Sequence, residues 1–240
     1  MVNRSIAKDG YKAWLDSGAT PTRAALLVIN RLKRKDAVVG GRSDGSGRMR
    51  TSSIGKCERM QALSFLGAIQ NNMDRSLMVA GTWAHYRWQT AGLSQGFLTS
   101  VEAKARKRIS GVAFGGNCDG ILSDGTLLEF KSTMSFAFKH RVKAPAPGHV
   151  KQVNLYLGLL GLGIASLVYE DRNLMEVVEH EVRYDASQFD ETVKRAIQVA
   201  DMARSTDEIP EMDPGCTSTS LMRKGCQFRE SCLSRWVEGR

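Results

Sequence analysis

The chain has 240 residues, of which 42% are hydrophobic and 25% charged, a composition that supports a buried core and excludes wholesale disorder. Lys and Arg number 34 against 25 Asp and Glu, a formal charge of +9 that points to a polyanionic partner, either nucleic acid or an anionic membrane surface. The surplus is uneven: +7 in residues 1–50, +2 in 51–100, +4 in 101–150, −7 in 151–215 and +3 in 216–240.

Taken in chain order, Met1-Val2-Asn3-Arg4 leads to Lys8-Asp9 without an apolar stretch, so no secretory signal is expected. Thr20-Pro21 reads as a helix start, with Thr as N-cap and Pro at the first helical position. That helix carries Ala24, Leu27, Val28 and Leu32 and ends in the basic run Arg31, Lys33, Arg34 and Lys35. Residues 40–47 are rich in Gly and Ser and read as a linker. Residues 1–50 are therefore expected to be a basic helical arm with its linker. A core over 51–215 and a Cys-rich tail over 216–240 follow.

A second helix starts near Ser52 or Ser53 and carries Cys57, Leu63 and Leu66. A third, over 73–91, places Leu77, Gly81, Ala84, His85 and Trp88 on one face. Three extended segments come next, Val101 to Ile109, Val112 to Leu122 and Leu127 to Thr133, the last two joined at Ser123-Asp124-Gly125. Val153 to Tyr169 holds no charge, but Asn154 and the glycines at 158, 161 and 163 divide it into a helix over 148–160 and a buried strand over 164–170. No membrane span is expected. A strand over 175–183 and a helix from Ser187 complete the core, with Ser187-x-x-Asp190 resembling a capping box. With five cysteines and no export signal a reducing cytoplasm is expected, where clustered thiols more often bind metal than pair.

The chemistry concentrates on one hairpin. If the loop is residues 123–125, Leu122 faces Thr126 and Asp119 lies opposite Glu129, with Lys131 two residues further on the same face. Opposed carboxylates repel unless a cation lies between them, and Mg²⁺ or Mn²⁺ suits hard oxygen ligands. A divalent ion there would polarise a phosphodiester and acidify a bound water, while Lys131 would steady the developing charge. A two-residue loop at Asp124-Gly125 would put Phe130 opposite Asp119 instead and destroy the arrangement. Glu102-x-Lys104 repeats the Glu-x-Lys pattern and is expected to be a solvated strand face.

These residues have the order of the PD-(D/E)XK superfamily. Gly81-x-x-x-His85, Gly116-x-x-Asp119, Glu129-x-Lys131 and Gln152-x-x-x-Tyr156 resemble its RecB-like nucleases. The resemblance implies a restriction-endonuclease-like α/β core, a mixed central sheet flanked by helices. It implies His85, Asp119, Glu129 and the Phe130 backbone carbonyl as metal ligands, and Lys131 as catalytic. Gln152 and Tyr156 would position DNA and support the lysine. Cys57 ahead of the core and Cys216, Cys226 and Cys232 after it resemble the iron–sulfur branch, which includes the AddB nuclease domain and CRISPR-associated RecB-like exonucleases. A 4Fe–4S cluster there joins the two ends of the domain. Cys216 lies ten residues before Cys226, where that branch commonly has C-x-x-C, so Zn²⁺ in a Cys₄ site stays open. Cys118 is expected to point into the core.

The resemblance implies an exonuclease acting on DNA ends or single-stranded DNA in recombination, replication or DNA processing, in a bacterial or phage-infected host cytoplasm. Recombination or replication proteins would be its partners. Arg31, Lys33, Arg34, Lys35 and Arg59 are the expected phosphate contacts. A catalytically inactive DNA-binding scaffold with the same fold, and a zinc-binding nucleic-acid-binding protein, are the alternatives.

Overall fold

The computed structural model describes residues 6–38, 47–68, 76–205, 209–216 and 226–232. In chain order these form α1 (Ile6–Ser17), α2 (Arg23–Val38), β1 (Arg48–Arg50), a 3₁₀ turn (Thr51–Ser53), α3 (Glu58–Phe65), α4 (Ser76–Gln95), β2 (Leu98–Ile109), β3 (Val112–Leu122), β4 (Leu127–Thr133), α5 (Ser135–Lys143), α6 (Pro147–Leu160), β5 (Ile164–Asp171), β6 (Val177–Arg183) and α7 (Ala186–Arg204). The expected linker over 40–47 lies outside the described residues except for Gly47.

The six strands form one mixed sheet organised around β3. β2 and β3 form a hairpin through Ser110-Gly111, both at positive φ (46° and 78°), the sign that matches the twist of paired strands. The other edge of β3 is shared. Its first part pairs parallel with β1, from Arg48↔Ala113 to Arg50↔Gly115, and its last part pairs antiparallel with β4 at Gly120↔Leu128 and Ile121↔Leu127. Residues 116–119 fall between these two partners. β4 then pairs parallel with β5, and β5 antiparallel with β6.

Helices cover both faces. α1 and α4 pack Ala7, Tyr11, Ala84 and Trp88 on Leu122, Leu128 and Phe130. On the opposite face α6 packs Val153, Tyr156 and Leu157 on Cys118, Leu127 and Leu167. A third cluster joins α3 and α7 to β1 and the start of β3. The uncharged run divides as its glycines predict, with Gly161 in the left-handed conformation ending α6. No helix among the described residues is long and apolar enough to cross a membrane.

Several elements differ from the sequence reading. α1 escapes the apolar pattern because Gly10 interrupts its spacing; a Cβ there would lie 2.5 Å from the ring of Phe97. Residues 6–17, expected in an arm outside the core, lie in it instead, with Ala7 and Tyr11 at 0% exposure. β1 adds residues 48–50 of the same segment to the sheet. α2 begins at Arg23, and Thr22 Oγ1 accepts the N–H of Ala25 at 3.2 Å. Cys57 precedes α3 at its N-cap. Asp185, rather than Ser187, caps α7, accepting the N–H of Gln188 at 3.0 Å.

Candidate active site

The β3–β4 hairpin has the three-residue loop. Leu122 donates its N–H to Thr126 O at 2.8 Å, the ladder runs Ile121↔Leu127 and Gly120↔Leu128, and counting one residue further along that register sets Asp119 against Glu129. Beyond Gly120 the main-chain pairing ends and side chains take over. Asp119 Oδ2 accepts the N–H of Phe130 at 2.6 Å, while its Oδ1 meets His85 Nδ1 at 3.0 Å. Lys131 Nζ contacts Glu129 Oε1 at 2.6 Å, and Gln152 Nε2 donates to the same oxygen at 2.8 Å. His85, Asp119, Glu129, Lys131 and Gln152 are thus brought together by α4, the hairpin and α6.

Their electrostatics depend on burial. Glu129 is 2% exposed; burial and the neighbouring Asp119 push its carboxyl up to about 7 despite Lys131. Burial acts in the same direction on Asp119, but His85, Lys131 and the Phe130 N–H outweigh it and hold that carboxyl below its usual range. Burial would lower His85 and Lys131, yet the two carboxylates raise both. The two acids are therefore driven apart, one firmly ionised and the other close to protonation at neutral pH.

Glu129 Oε2 is buried with no hydrogen-bond partner. An orphaned carboxylate oxygen beside a second carboxylate and an imidazole is a donor set that fits a divalent cation. As the side chains stand, among the described residues no three His, Cys, Asp or Glu are arranged to hold a metal ion. Lys131, Gln152, His85 and the Phe130 N–H engage the other three carboxylate oxygens of the two acids.

Tyr156 is placed differently from the expectation that it positions DNA. It is 2% exposed and donates its hydroxyl to Asn117 O at 2.7 Å, so it holds the stretch of β3 whose outer edge lies between β1 and β4. Gly116 allows this approach, since a Cβ there would lie 2.8 Å from the Tyr156 hydroxyl. Cys118 is fully buried under α6, as expected.

Glu102 is a residue the sequence reading set aside. It is not a solvated strand position: Gln89 Nε2 donates to its Oε1 at 3.1 Å and Asn117 Nδ2 to its Oε2 at 3.2 Å. Gln89 also donates to Asp119 O at 3.2 Å. Glu102 has φ +52°, and alternation breaks there, with Val101 packing beneath α4 and Ala103 beneath α6. Burial and Asp119 both raise its carboxyl. The signal lay in the turn at Ser110-Gly111, which pairs Ile109 with Val112 and so counts Glu102 to a position opposite Asp119. Gln89, one turn after His85, follows from the same helical face. Lys56 and His149 also gather near Lys131: burial and that lysine lower both, His149 to about 4.

Of the expected phosphate contacts, Arg31 is exposed on α2, whereas the side chains of Lys33, Arg34 and Lys35 lie outside the described residues. Arg59 requires correction. It is 2% exposed and points into a cavity of about 910 Å³ lined by Cys57, Pro210, Cys216, Cys226 and Cys232. Its Nε donates to Cys232 Sγ at 3.1 Å and its other nitrogens to the carbonyls of Pro210 and Cys232, at 3.0 and 3.4 Å. Buried with these acceptors, it is not available to DNA. All four expected cysteine ligands line this one cavity, although no three of them stand in ligating arrangement.

No protein-family model matches the chain, and no curated protein matches it. Its fold is similar to that of the alkaline exonuclease LHK-Exo from Laribacter hongkongensis, at 20% identity and TM-score 0.50 over 63% of this chain and 85% of that one. The complex of LHK-Exo with dAMP gives 17% identity and TM-score 0.52 over 64% and 86%. The protein SSO0001 gives 14% identity and TM-score 0.55 over 86% and 95%. At these identities the likeness is one of fold: a mixed sheet flanked by helices.

Proposed function

We propose that this chain is a divalent-metal-dependent deoxyribonuclease of the RecB-like PD-(D/E)XK type, an exonuclease acting on DNA ends or single strands in recombination, replication or DNA processing. The observation that carries the reading is the hairpin register, which sets Asp119 against Glu129 with Lys131 on one acid and His85 on the other. The fold likeness to an alkaline exonuclease supports it. An inactive scaffold has no reason to keep opposed carboxylates, one of them with an orphaned buried oxygen.

His85, Asp119, Glu129 and the Phe130 carbonyl would hold Mg²⁺ or Mn²⁺. When bound, such an ion polarises the phosphodiester and lowers the pKa of water. The chain's own residues do the rest. Glu129 would turn its unpartnered Oε2 to the ion, and its carboxyl, raised to about 7 in the metal-free protein, would give up its proton to do so. Lys131 stays protonated and presents Nζ to the charge that develops on the phosphoryl oxygens. Gln152 fixes Glu129 Oε1, and Tyr156 fixes the β3 backbone beneath Asp119.

Cys57, Cys216, Cys226 and Cys232 would hold a 4Fe–4S cluster that ties the tail to the start of α3; their meeting in one cavity supports this. The visible spectrum and metal analysis of anaerobically purified protein test it. A broad band near roughly 400 nm with iron is expected, and a colourless zinc protein would refute the cluster. The nuclease itself is tested with end-labelled DNA and Mn²⁺ or Mg²⁺: metal-dependent shortening is expected, and intact DNA at every metal concentration would end the reading.

A further inference from the structure

The face of α5 that looks away from the core has a composition of its own. Phe138 anchors the helix at 4% exposure in the cluster beneath α6. Phe136, Lys139, His140 and Lys143 recur at i, i+3, i+4 and i+7, the spacing of a single helical face. All four are exposed, and Phe136, at 79%, is the most exposed large apolar side chain among the described residues. Its ring meets that of His140 edge-on at 5.4 Å. A ring this exposed beside three basic side chains is apolar surface that a ligand stacking on it would cover.

Charge selects that occupant. Between Glu129 and Glu170 there is no acidic residue, while Lys131, Lys139, Arg141, Lys143 and Lys151 supply five cations. Asp171 on β5 faces α5 and feels the charge of Lys139, but its Oδ1 is engaged by Ser135 Oγ at 2.9 Å and the Asn173 N–H at 2.8 Å. The helix starts four residues after Lys131 on the same continuous segment. Arg141 also acts electrostatically on Tyr169 and His149, as Lys131 does, which places α5 at the edge of the candidate active site.

We infer that the outer face of α5 is a platform for single-stranded DNA, on which Phe136 stacks with an unpaired base while Lys139 and Lys143 face the flanking phosphates. A cationic face with an exposed aromatic ring matches a polyanion whose bases offer free π-faces. Duplex DNA hides those faces, and an acidic protein would use the lysines without needing the ring. The inference rests on the DNA-processing reading above and names the strand form led towards Lys131.

The test is the anisotropy of fluorescein-labelled oligonucleotides bound to the full chain in EDTA, where no cleavage intervenes. Phe136→Ala should weaken binding of a single strand about tenfold or more, the loss of one base–aromatic stack. Phe136→Trp should restore it. Binding of a blunt duplex, and of a single strand made abasic throughout, should change less than about twofold. Lys139→Ala with Lys143→Ala should reduce the single-strand salt slope by about 1.4. Unchanged single-strand affinity in Phe136→Ala would overturn the inference. So would an equal loss on duplex or abasic strands, which would mark a general electrostatic or protein-docking surface. Phe136 is exposed, so the variant keeps the core intact. Because nothing is cut in EDTA, failure here leaves Lys131-dependent cleavage untouched, and absence of cleavage leaves this result standing.

Discussion

Asp119 accepts the backbone N–H of Phe130 through Oδ2 at 2.6 Å, standing in for a main-chain acceptor one step past the last β3–β4 ladder pair. The same carboxylate meets His85 through Oδ1. One side chain therefore closes the sheet and carries the charge of the site, and substitutions can separate the two roles. Asp119→Asn keeps an oxygen for the Phe130 N–H and removes the charge. It is expected to melt within a few degrees of wild type and to cut no DNA. Asp119→Ala leaves a buried N–H unpaired and should lose about 1–3 kcal/mol of stability as well. Paired thermal melts and cleavage assays decide this, and equal melting of the two variants would argue against the ladder role.

Stability should fall with rising pH in metal-free protein. The folded-state carboxyl of Glu129 is raised to about 7 from an ordinary 4.5, so the native chain holds a proton that the unfolded chain releases. Its contribution is present below the unfolded value and is lost as pH climbs through the folded one. His85, raised by Asp119, loses its contribution in the same direction, whereas Asp119 is fully ionised above its usual range throughout. His149, lowered to about 4, contributes in the opposite sense and offsets this up to about pH 6.5, so melting temperature is expected to drop from about pH 6.5 to about pH 8, and Mn²⁺ should restore it at the upper end. A melting temperature at about pH 8 that ignores Mn²⁺ would exclude a cation at Glu129.

Arg59→Ala should release the Cys-rich tail. It removes three hydrogen bonds that span more than 150 residues of chain and leaves the Pro210 and Cys232 carbonyls unpaired, at a cost of about 2–4 kcal/mol. Limited proteolysis is expected to cut first beyond residue 204. Arg59→Lys should not rescue, because a single ammonium cannot serve three separated acceptors. A variant as protease-resistant as wild type would place the tail's anchorage elsewhere.

The sequence made the hairpin legible because its register follows from counting across a three-residue loop, and a side chain's partner follows from the register. The division of the uncharged run was legible for a similar reason, since glycines mark where a helix must stop. What escaped depended on tertiary contact. Gly10 looks like a helix breaker until Phe97 is seen to need its space. Arg59 looks like a phosphate ligand until a tail more than 150 residues away encloses it. Glu102 looks like a solvated repeat until the register is counted across the Ser110-Gly111 turn, which sets it beside Asp119. Three-residue β1 and the nine-residue α5 carry too little periodicity to stand out.

Truncating the N-terminal segment should destabilise the protein and not merely weaken DNA binding. Tyr11 is fully buried against Trp88, with ring centroids 4.0 Å apart, and its hydroxyl accepts from Arg87, which also pairs with Glu170. Tyr11→Ala should cost about 3–5 kcal/mol. The contribution of residues 1–50 to phosphate binding is better tested by replacing Arg31, Lys33, Arg34 and Lys35 with Ala. A shallower salt dependence of DNA binding with unchanged melting is expected. An unchanged salt slope would assign those charges to another partner.

Cleavage and binding by wild type and Lys131→Ala, measured side by side on end-labelled DNA with Mn²⁺, bear on the central claim most directly. Lys131 is the one cation in hydrogen-bond contact with Glu129 among the described residues, and its loss removes a donor to the developing phosphoryl charge. Cleavage by the variant should fall by a factor of about 10²–10³ or more while its DNA affinity stays within about threefold of wild type. Wild-type protein that leaves DNA intact, or a Lys131→Ala variant that cuts at the wild-type rate, would contradict the assignment of the β3–β4 hairpin as a nuclease centre.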